Sequence, residues 1–399
     1  MAGRRPCILV SNDDGIEAPG LVQMVEVIGR AGFCDVYVSA PDGERSAQSS
    51  AITLGRPLTA RPCQVPGAVA AYAIDGSPSD SSMLALCSEL FAGVAFDACV
   101  TGINRGDNAG MHVVYSGTVG AAREAAMKNI PALALSLNNF RGPADYVHAA
   151  RMLLPLLKAV LGLVPVRGAS KDEVRDALSA SVINLNFPML PYDEIKGYCI
   201  AYQGLTSLII DFFEDDEDMG PAETLAGDVS LYQGGGSDAS TASHDAGGDA
   251  AAKSTNAVVG GNVSSAHGGP RVFKKRWGRL VRDQSVGSDV WAMDGGWVAV
   301  TLVGLQSDVT PSRDAYRAAA GGRLWRMDAG GEQAAAEVPP AGNRGVGAES
   351  ELPFPFMRSH EELAAARYGE RRLKVVGALV AAAAAETGKP ALSWGPFLS

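Results

Sequence analysis

Within its first forty residues the chain alternates strand, helix and strand. Ile8-Leu9-Val10 is a short apolar run suited to a strand buried on both faces. Leu21, Met24, Val25 and Ile28 then recur at helical spacing behind Pro19 and stop at Gly32, and Asp35-Val-Tyr-Val-Ser-Ala40 is a second strand. So short a strand-helix-strand span is a βαβ unit, whose strands lie parallel in one sheet. The pattern continues with strands at Ala98–Gly102, Pro131–Ser136 and Ala180–Asn186 and helices at Val119–Lys128 and Tyr146–Val160. About five β/α units predict an α/β chain, after which the regular alternation ends. Gly197-Tyr-Cys-Ile-Ala-Tyr202 is expected to begin an antiparallel extension, and Gly296–Leu302 reads as a later strand.

In an open parallel sheet ligands sit beyond the carboxyl ends of the strands, so the loops there carry the functional information. The first is Asn12-Asp13-Asp14-Gly15. Side chains alternate along a strand, so both carboxylates reach one ligand only if the backbone turns, which Gly15 permits. Two adjacent carboxylates repel each other unless a cation or a proton lies between them, and Mg²⁺ or Mn²⁺ suits their oxygens. The same residues also fit a solvated turn. The loop after Ala40 is rich in hydroxyls, and its Ser46 suits a metal, a phosphate or a turn cap. Ile103-Asn104-Arg-Gly-Asp-Asn108-Ala-Gly110 follows the third strand, and Tyr115-Ser116-Gly117-Thr118 opens a helix whose first turn is all small residues. Unpaired N–H groups and a partial positive charge make Ser116, Gly117 and Thr118 a phosphate cradle, with a plain N-cap as the alternative. Asp80 reads as a helix-start acid at the head of an apolar helix through Met83, Leu84 and Leu86. Topology alone brings Asp13, Asp14, Ser46 and Asn104 to one edge beside Ser116. An oxygen-rich divalent site next to an anion cradle is what metal-assisted phosphoester hydrolysis needs.

Composition narrows the partners. A formal net charge of -10 argues against an extended nucleic-acid or membrane-surface footprint, leaving a small molecule as the expected partner. The six cysteines have no close pair and no zinc spacing, and they read as reduced core residues of a cytoplasmic protein. The N-terminus runs straight into the first strand, and no apolar run approaches membrane-spanning length. These signs predict a catalytic domain over 1–210, an acidic loop and Gly/Ser/Ala/Asp-rich insertion over 211–270, and the end of the core over 271–320. A linker and helical tail over 321–399, with its helix near His360–Glu386, is a candidate oligomerisation arm. The insertion cannot bury enough apolar surface to fold and is expected to be disordered, so its His244 and His267 are discounted as ligands. The Glu214–Asp218 charge run reads as a solvated loop.

Taken together, Ser11-Asn-Asp-Asp-Gly15 with Ala18-Pro-Gly20, Ala40-Pro-Asp with Arg45-Ser46, Gly102-Ile-Asn104-Arg-Gly106 and Tyr115-Ser-Gly-Thr118 resemble the SurE survival-protein family of metal-dependent 5'-nucleotidases and acid phosphatases. The resemblance is tight over 7–136, looser to 210, and returns at Asp289-Val-Trp-Ala-Met and Gly296–Thr301. It implies a Rossmann-like three-layer αβα sandwich with a parallel sheet and an antiparallel C-terminal extension. It also implies one divalent ion, Mg²⁺ or Mn²⁺, on Asp13, Asp14, Ser46 and Asn104, phosphate at Ser116, Gly117 and Thr118, and Asp13, Asp14 and Asn104 as catalytic residues. The implied reaction is hydrolysis of nucleoside 5'-monophosphates by a metal-activated water, with short polyphosphate as a side substrate, in a homodimer or homotetramer. Asp13 is the expected proton acceptor and Asn12 and Asn108 support the ligands from behind, while no histidine is well placed as a leaving-group acid, His112 in the glycine-rich loop being the one nearby.

The chain departs from that family at Ser77-Pro78 and Ser81, where relatives commonly carry Thr-Pro and a cysteine. It departs again at Val300-Thr-Leu-Val303, where they end the last core strand in Val-Thr-Pro-Leu. It lacks the Asp-x-Asp of haloacid-dehalogenase phosphatases after its first strand, and it has neither a dinucleotide-binding Gly-x-Gly-x-x-Gly there nor a P-loop Gly-Lys-Ser/Thr. The rival from another class is a nucleotide- or phosphate-binding regulator on the same scaffold.

Overall fold

The central strand β1 (Cys7–Ser11) alternates between two apolar clusters, with Ile8 and Val10 in one and Leu9 in the other. It is therefore covered on both faces, as its uninterrupted apolar run requires. The structure, a computed structural model, describes residues 4–140, 143–214, 273–305, 325–327, 333–335 and 360–393. Around β1 run β2 (Asp35–Pro41), β4 (Ala70–Ile74), β5 (Ala98–Arg105), β6 (Ala132–Leu137) and β7 (Ser181–Phe187). All pair in parallel, in the order β7-β6-β5-β1-β2-β4, and β3 (Ala60–Cys63) closes that edge antiparallel to β4. Pro62 is tolerated in β3 because an edge strand needs hydrogen bonds on one side only.

One face is covered by α1 (Pro19–Ala31) and α4 (Val147–Val160), with α7 (His360–Thr387) contributing Leu373, Val376, Leu379 and Val380 to the same cluster. The other face carries α2 (Pro78–Cys87) and α3 (Gly117–Ala126). These layers make the α/β, Rossmann-like sandwich that the alternation predicts. The helix α3 packs Val119, Ala122, Ala125 and Ala126 against Cys99, Ala132, Ala134 and Val182, and small residues on both sides let it lie close to the sheet.

The antiparallel extension begins in the chain where expected, at Tyr198–Ile200, but a later strand borders the parallel part of the sheet. The reversal is made by β11 (Val298–Gly304), which pairs antiparallel with β7 from Ala299 opposite Asn186 to Gly304 opposite Ser181. The strand β8 (Tyr198–Ile200) lies parallel to β11, and β14 (Ala391–Ser393) parallel to β8. Length matches the strand that borders β7: β11 has seven buried residues beside the seven of β7, whereas β8 has three, and β8 and β14 both run against β7. Two further strands, β12 (Trp325–Met327) and β13 (Gln333–Ala335), complete twelve strands in this sheet among the described residues.

Two expectations need correction. The helix α2 buries Ser79, Asp80, Ser81 and Ser82 and leaves Met83, Leu84 and Leu86 only partly covered. Its start is fixed by a capping box, Ser77 Oγ accepting from Asp80 N–H and the Asp80 carboxylate accepting from Ser77 N–H, which turns the small serines inward. All six cysteines are free, but Cys87, the last residue of α2, is exposed rather than in the core.

By contact the chain divides into two units, Met1–Ser207 with Val281–Ser399, and Leu208–Leu280. The second holds nearly all of the two-stranded sheet of β9 (Ser207–Glu214) and β10 (Phe273–Val281). The expected solvated run beyond Glu214, the insertion at 220–270 and most of the linker at 321–359 lie outside the described residues. Among the described residues no helix is long and apolar enough to cross a membrane.

Candidate active site

Two loops at the carboxyl edge are joined by backbone alone. Beyond β1, Asn12 Nδ2 donates to Gly15 O at 2.7 Å and closes the turn. Gly15 has φ +102°, and a Cβ there would stand 3.0 Å from Gly43 Cα, so glycine lets the second loop ride directly on the first. Ile16 N–H donates to Pro41 O at 2.8 Å and Arg45 N–H to Asp13 O at 2.7 Å. Ser46, next in the chain, is exposed, and its hydroxyl donates to Glu44 Oε1 at 2.5 Å.

The start of α3 is built onto Asp13. The Thr118 hydroxyl donates to Asp13 Oδ1, and a Cβ at Gly117 would stand 3.0 Å from Asp13 Oδ2. Asp13 and Thr118 are buried, so a carboxylate already sits at the positive end of this helix. Ser116 is the N-cap, its Oγ accepting from Val119 N–H at 3.0 Å. The N-cap reading of Ser116 is therefore met, and Thr118 faces Asp13 with its N–H as well as its hydroxyl.

A shift in the β5–β6 register between Thr101 and Asn104 lifts the third loop out of the ladder. Asn104 Nδ2 donates to Gly106 O at 2.9 Å, so Oδ1 is the atom left to act as a ligand. The Arg105 N–H donates to Asp14 Oδ2 at 3.0 Å, bringing this loop to the acidic turn. Behind it Asn108 is riveted to β6 and β7: its Nδ2 donates to Ser136 Oγ at 2.7 Å and its N–H to Asn186 Oδ1 at 2.8 Å. Asp13, Asp14 and Thr118 are thus in one place, Asn12 and Asn108 hold the backbone behind them, and Ser46 is bonded to Glu44.

Three residues that the sequence did not single out complete the surroundings. Asp107 Oδ1 lies 2.8 Å from His112 Nδ1, and His112 Nε2 is shut off from solvent without a partner. Asp289, fully buried at the head of α6 (Asp289–Asp294), accepts from Gly110 N–H at 2.7 Å, Gly204 N–H at 3.1 Å and Val290 N–H at 2.9 Å. Glu44 is the third. Asp107 and Glu44 lay inside loops already under suspicion. Asp289, by contrast, reads locally as an ordinary first-turn acid.

Burial pushes the Asp13 carboxyl up to about 6, against the hydrogen bonds from Thr118. Burial first and the neighbouring Asp13 charge second push Asp14 up to about 7. Among the described residues no salt bridge holds either one, and Asn12 Oδ1 is buried without a donor. Two crowded carboxylates, uncharged oxygen donors and an orphaned buried oxygen fit a hard divalent cation. No group of three or more His, Cys, Asp or Glu side chains is gathered among the described residues, so the fit is to an oxygen-rich site with few protein charges.

These shifts fix a pH dependence for the protein stripped of cations. Asp13 and Asp14, and Asp289, which burial lifts to about 6, bind protons more tightly folded than unfolded, so their contribution to stability falls as pH rises from about 4 to 8. Burial opposes charge on His112, but its bond to Asp107 and the Asp107 and Asp289 charges outweigh this and raise it, which acts in the same direction. In chelator the melting temperature should therefore be higher at pH 5.5 than at pH 8. Saturating Mg²⁺ or Mn²⁺ should raise the melting temperature at pH 8, adding about 2.7 kcal/mol of stability at a hundred-fold excess over Kd, and far less at pH 5.5. A chelated protein that melts lower at pH 5.5 contradicts the assignment.

The comparisons with known proteins converge on this region. A family model described as Survival protein SurE matches residues 8–208. The 5'-nucleotidase SurE of Petrotoga mobilis is 35% identical over 211 residues, covering 53% of this chain and 77% of its own length. That of Geobacter sulfurreducens is 40% identical over 197 residues, covering 49% and 68%. A solved SurE protein from Aquifex aeolicus has the same fold, with TM-score 0.51 and 24% identity over 76% of this chain and 94% of its own.

Proposed function

This chain belongs to the SurE family, the matched span running through every loop at the carboxyl edge, and on that footing we propose that it is a metal-dependent phosphomonoesterase acting on nucleoside 5'-monophosphates. One observation carries the reading: Asp13 is shared between the acidic turn and the start of α3. A cation held by the carboxylates and a phosphate held by the helix would be neighbours by construction.

Asp13, Asp14, Ser46 and Asn104 would hold the ion, which when bound neutralises phosphate charge and lowers the pKa of water. The helix start, through its partial positive charge and the Gly117 N–H, stabilises charge on the equatorial oxygens as it builds up. Thr118 occupies Asp13 Oδ1, so Oδ2 is the atom that takes the proton from the attacking water. With His112 Nε2 closed off, the departing nucleoside oxygen is protonated from solvent. Beside the cradle Tyr115 is 63% exposed, Ile52 44% and Leu54 86%, an apolar rim suited to a nucleoside. Ser49 clips the two segments together, donating from N–H to Tyr115 O at 3.0 Å and from Oγ to Val114 O at 2.9 Å.

The test is phosphate release from AMP, GMP and p-nitrophenyl phosphate with Mg²⁺, with Mn²⁺ and in chelator. Release from the nucleotides should require an ion and exceed that from the aryl ester in kcat/KM. Tight AMP binding with no phosphate released under any ion would instead favour a nucleotide-binding regulator.

A further inference from the structure

Glu44 plays no part in the reaction described above, yet its position is fixed relative to the acidic turn. Gly43 before it lies against Gly15, and Arg45 after it donates to Asp13 O at 2.7 Å. One carboxylate oxygen, Oε1, accepts from both the hydroxyl of Ser46, at 2.5 Å, and its N–H, at 2.9 Å. A serine hydroxyl is a weak, freely rotating ligand, and with its hydrogen turned towards a cation it repels the ion. Committed as a donor to a carboxylate, the same oxygen offers a cation only its lone pairs, and the bond makes it more basic. Partners of this kind orient metal ligands and are commonly worth about 10- to 100-fold in affinity.

We propose that Glu44 is a positioning residue for the divalent ion, acting through the Ser46 hydroxyl. This rests on the reading of Ser46 as a ligand, and the experiment separates the two. Mn²⁺ affinity is measured by calorimetry, without substrate, on the wild-type chain, Glu44→Ala, Glu44→Gln, Ser46→Ala and the Glu44→Ala/Ser46→Ala double variant. Both side chains are exposed, so the variants should fold, and a metal-free melt verifies it.

Glu44→Ala should weaken Mn²⁺ by about 10- to 100-fold. Glu44→Gln, which keeps an acceptor oxygen but no charge, should recover most of that loss. In the Ser46→Ala background Glu44→Ala should cost nothing further, as expected of two residues acting through one contact. An equal loss in both backgrounds, with Glu44→Gln as poor as alanine, would mean that Glu44 acts through its charge alone and overturns the proposal. So would a normal Glu44→Ala affinity beside a weakened Ser46→Ala. A normal Ser46→Ala affinity removes Ser46 from the ligand set, and the role given to Glu44 falls with it.

Discussion

Asp13→Asn should give a folded protein that releases phosphate from AMP about a thousand-fold more slowly or worse, and that melts higher than wild type in chelator at pH 8. The loss follows from what Asp13 does in the proposed reaction, where its charge helps to hold the ion and Oδ2 accepts a proton. Removing one well-placed electrostatic contact commonly costs about 10²- to 10³-fold, and this change removes two functions at once. The gain in stability has the same origin. A buried carboxyl lifted from 3.8 to about 6 costs the ionised folded state roughly 3 kcal/mol, and asparagine keeps the acceptor for Thr118 without the charge. Activity and stability therefore move in opposite directions, which general misfolding cannot imitate. Asp14→Asn should behave alike, losing charge while its oxygen still accepts from Arg105 N–H. Turnover near wild type in either variant would remove that residue from the chemistry.

Gly117→Ala should lower kcat about a hundred-fold with the fold retained. Its new Cβ would stand 2.9 Å from Asp13 Cβ, 3.0 Å from Asp13 Oδ2 and 3.0 Å from Pro78 Cγ, all closer than side chains normally pack. Overpacking of this kind costs about 1–3 kcal/mol, partly offset by the better helix propensity of alanine. The kinetic effect is larger than the thermodynamic one because the atom displaced belongs to the proposed proton acceptor, and a shift of about 1 Å in a reacting group can cost 10²-fold. Gly55→Ala meets nothing within 4 Å and serves as the control that should leave turnover and melting unchanged. A Gly117→Ala enzyme with normal kcat would show that Asp13 needs no fixed place over the helix start.

Much of this was legible in the chain itself. The apolar run at Ile8–Val10 and the helical spacing of Leu21, Met24, Val25 and Ile28 express backbone periodicities, which depend only on near neighbours. From them follow the parallel sheet, its carboxyl edge and the gathering there of Asp13, Asp14, Asn104 and the Ser116–Thr118 turn. The family resemblance, carried by short motifs in those loops, was equally readable, and the matched span of 8–208 bears it out.

The partners of those residues were not legible. Thr118 is 105 residues from Asp13, Arg105 is 91 from Asp14, and Asp289 is 179 from Gly110. Nothing local distinguishes Asp289 from any acid at the head of a helix. Likewise α2 shows an apolar side at Met83 and Leu84, yet its capping box and its close approach to the sheet bury the serines instead. The start of the antiparallel extension at Tyr198 was legible, but not that the later β11 would lie between β8 and β7, because that pairing joins distant segments. Local periodicity determined the elements and which of their ends carry chemistry. Only the packed structure decided how each carboxylate is held, because hydrogen bonds and desolvation depend on neighbours that the order of the chain does not reveal.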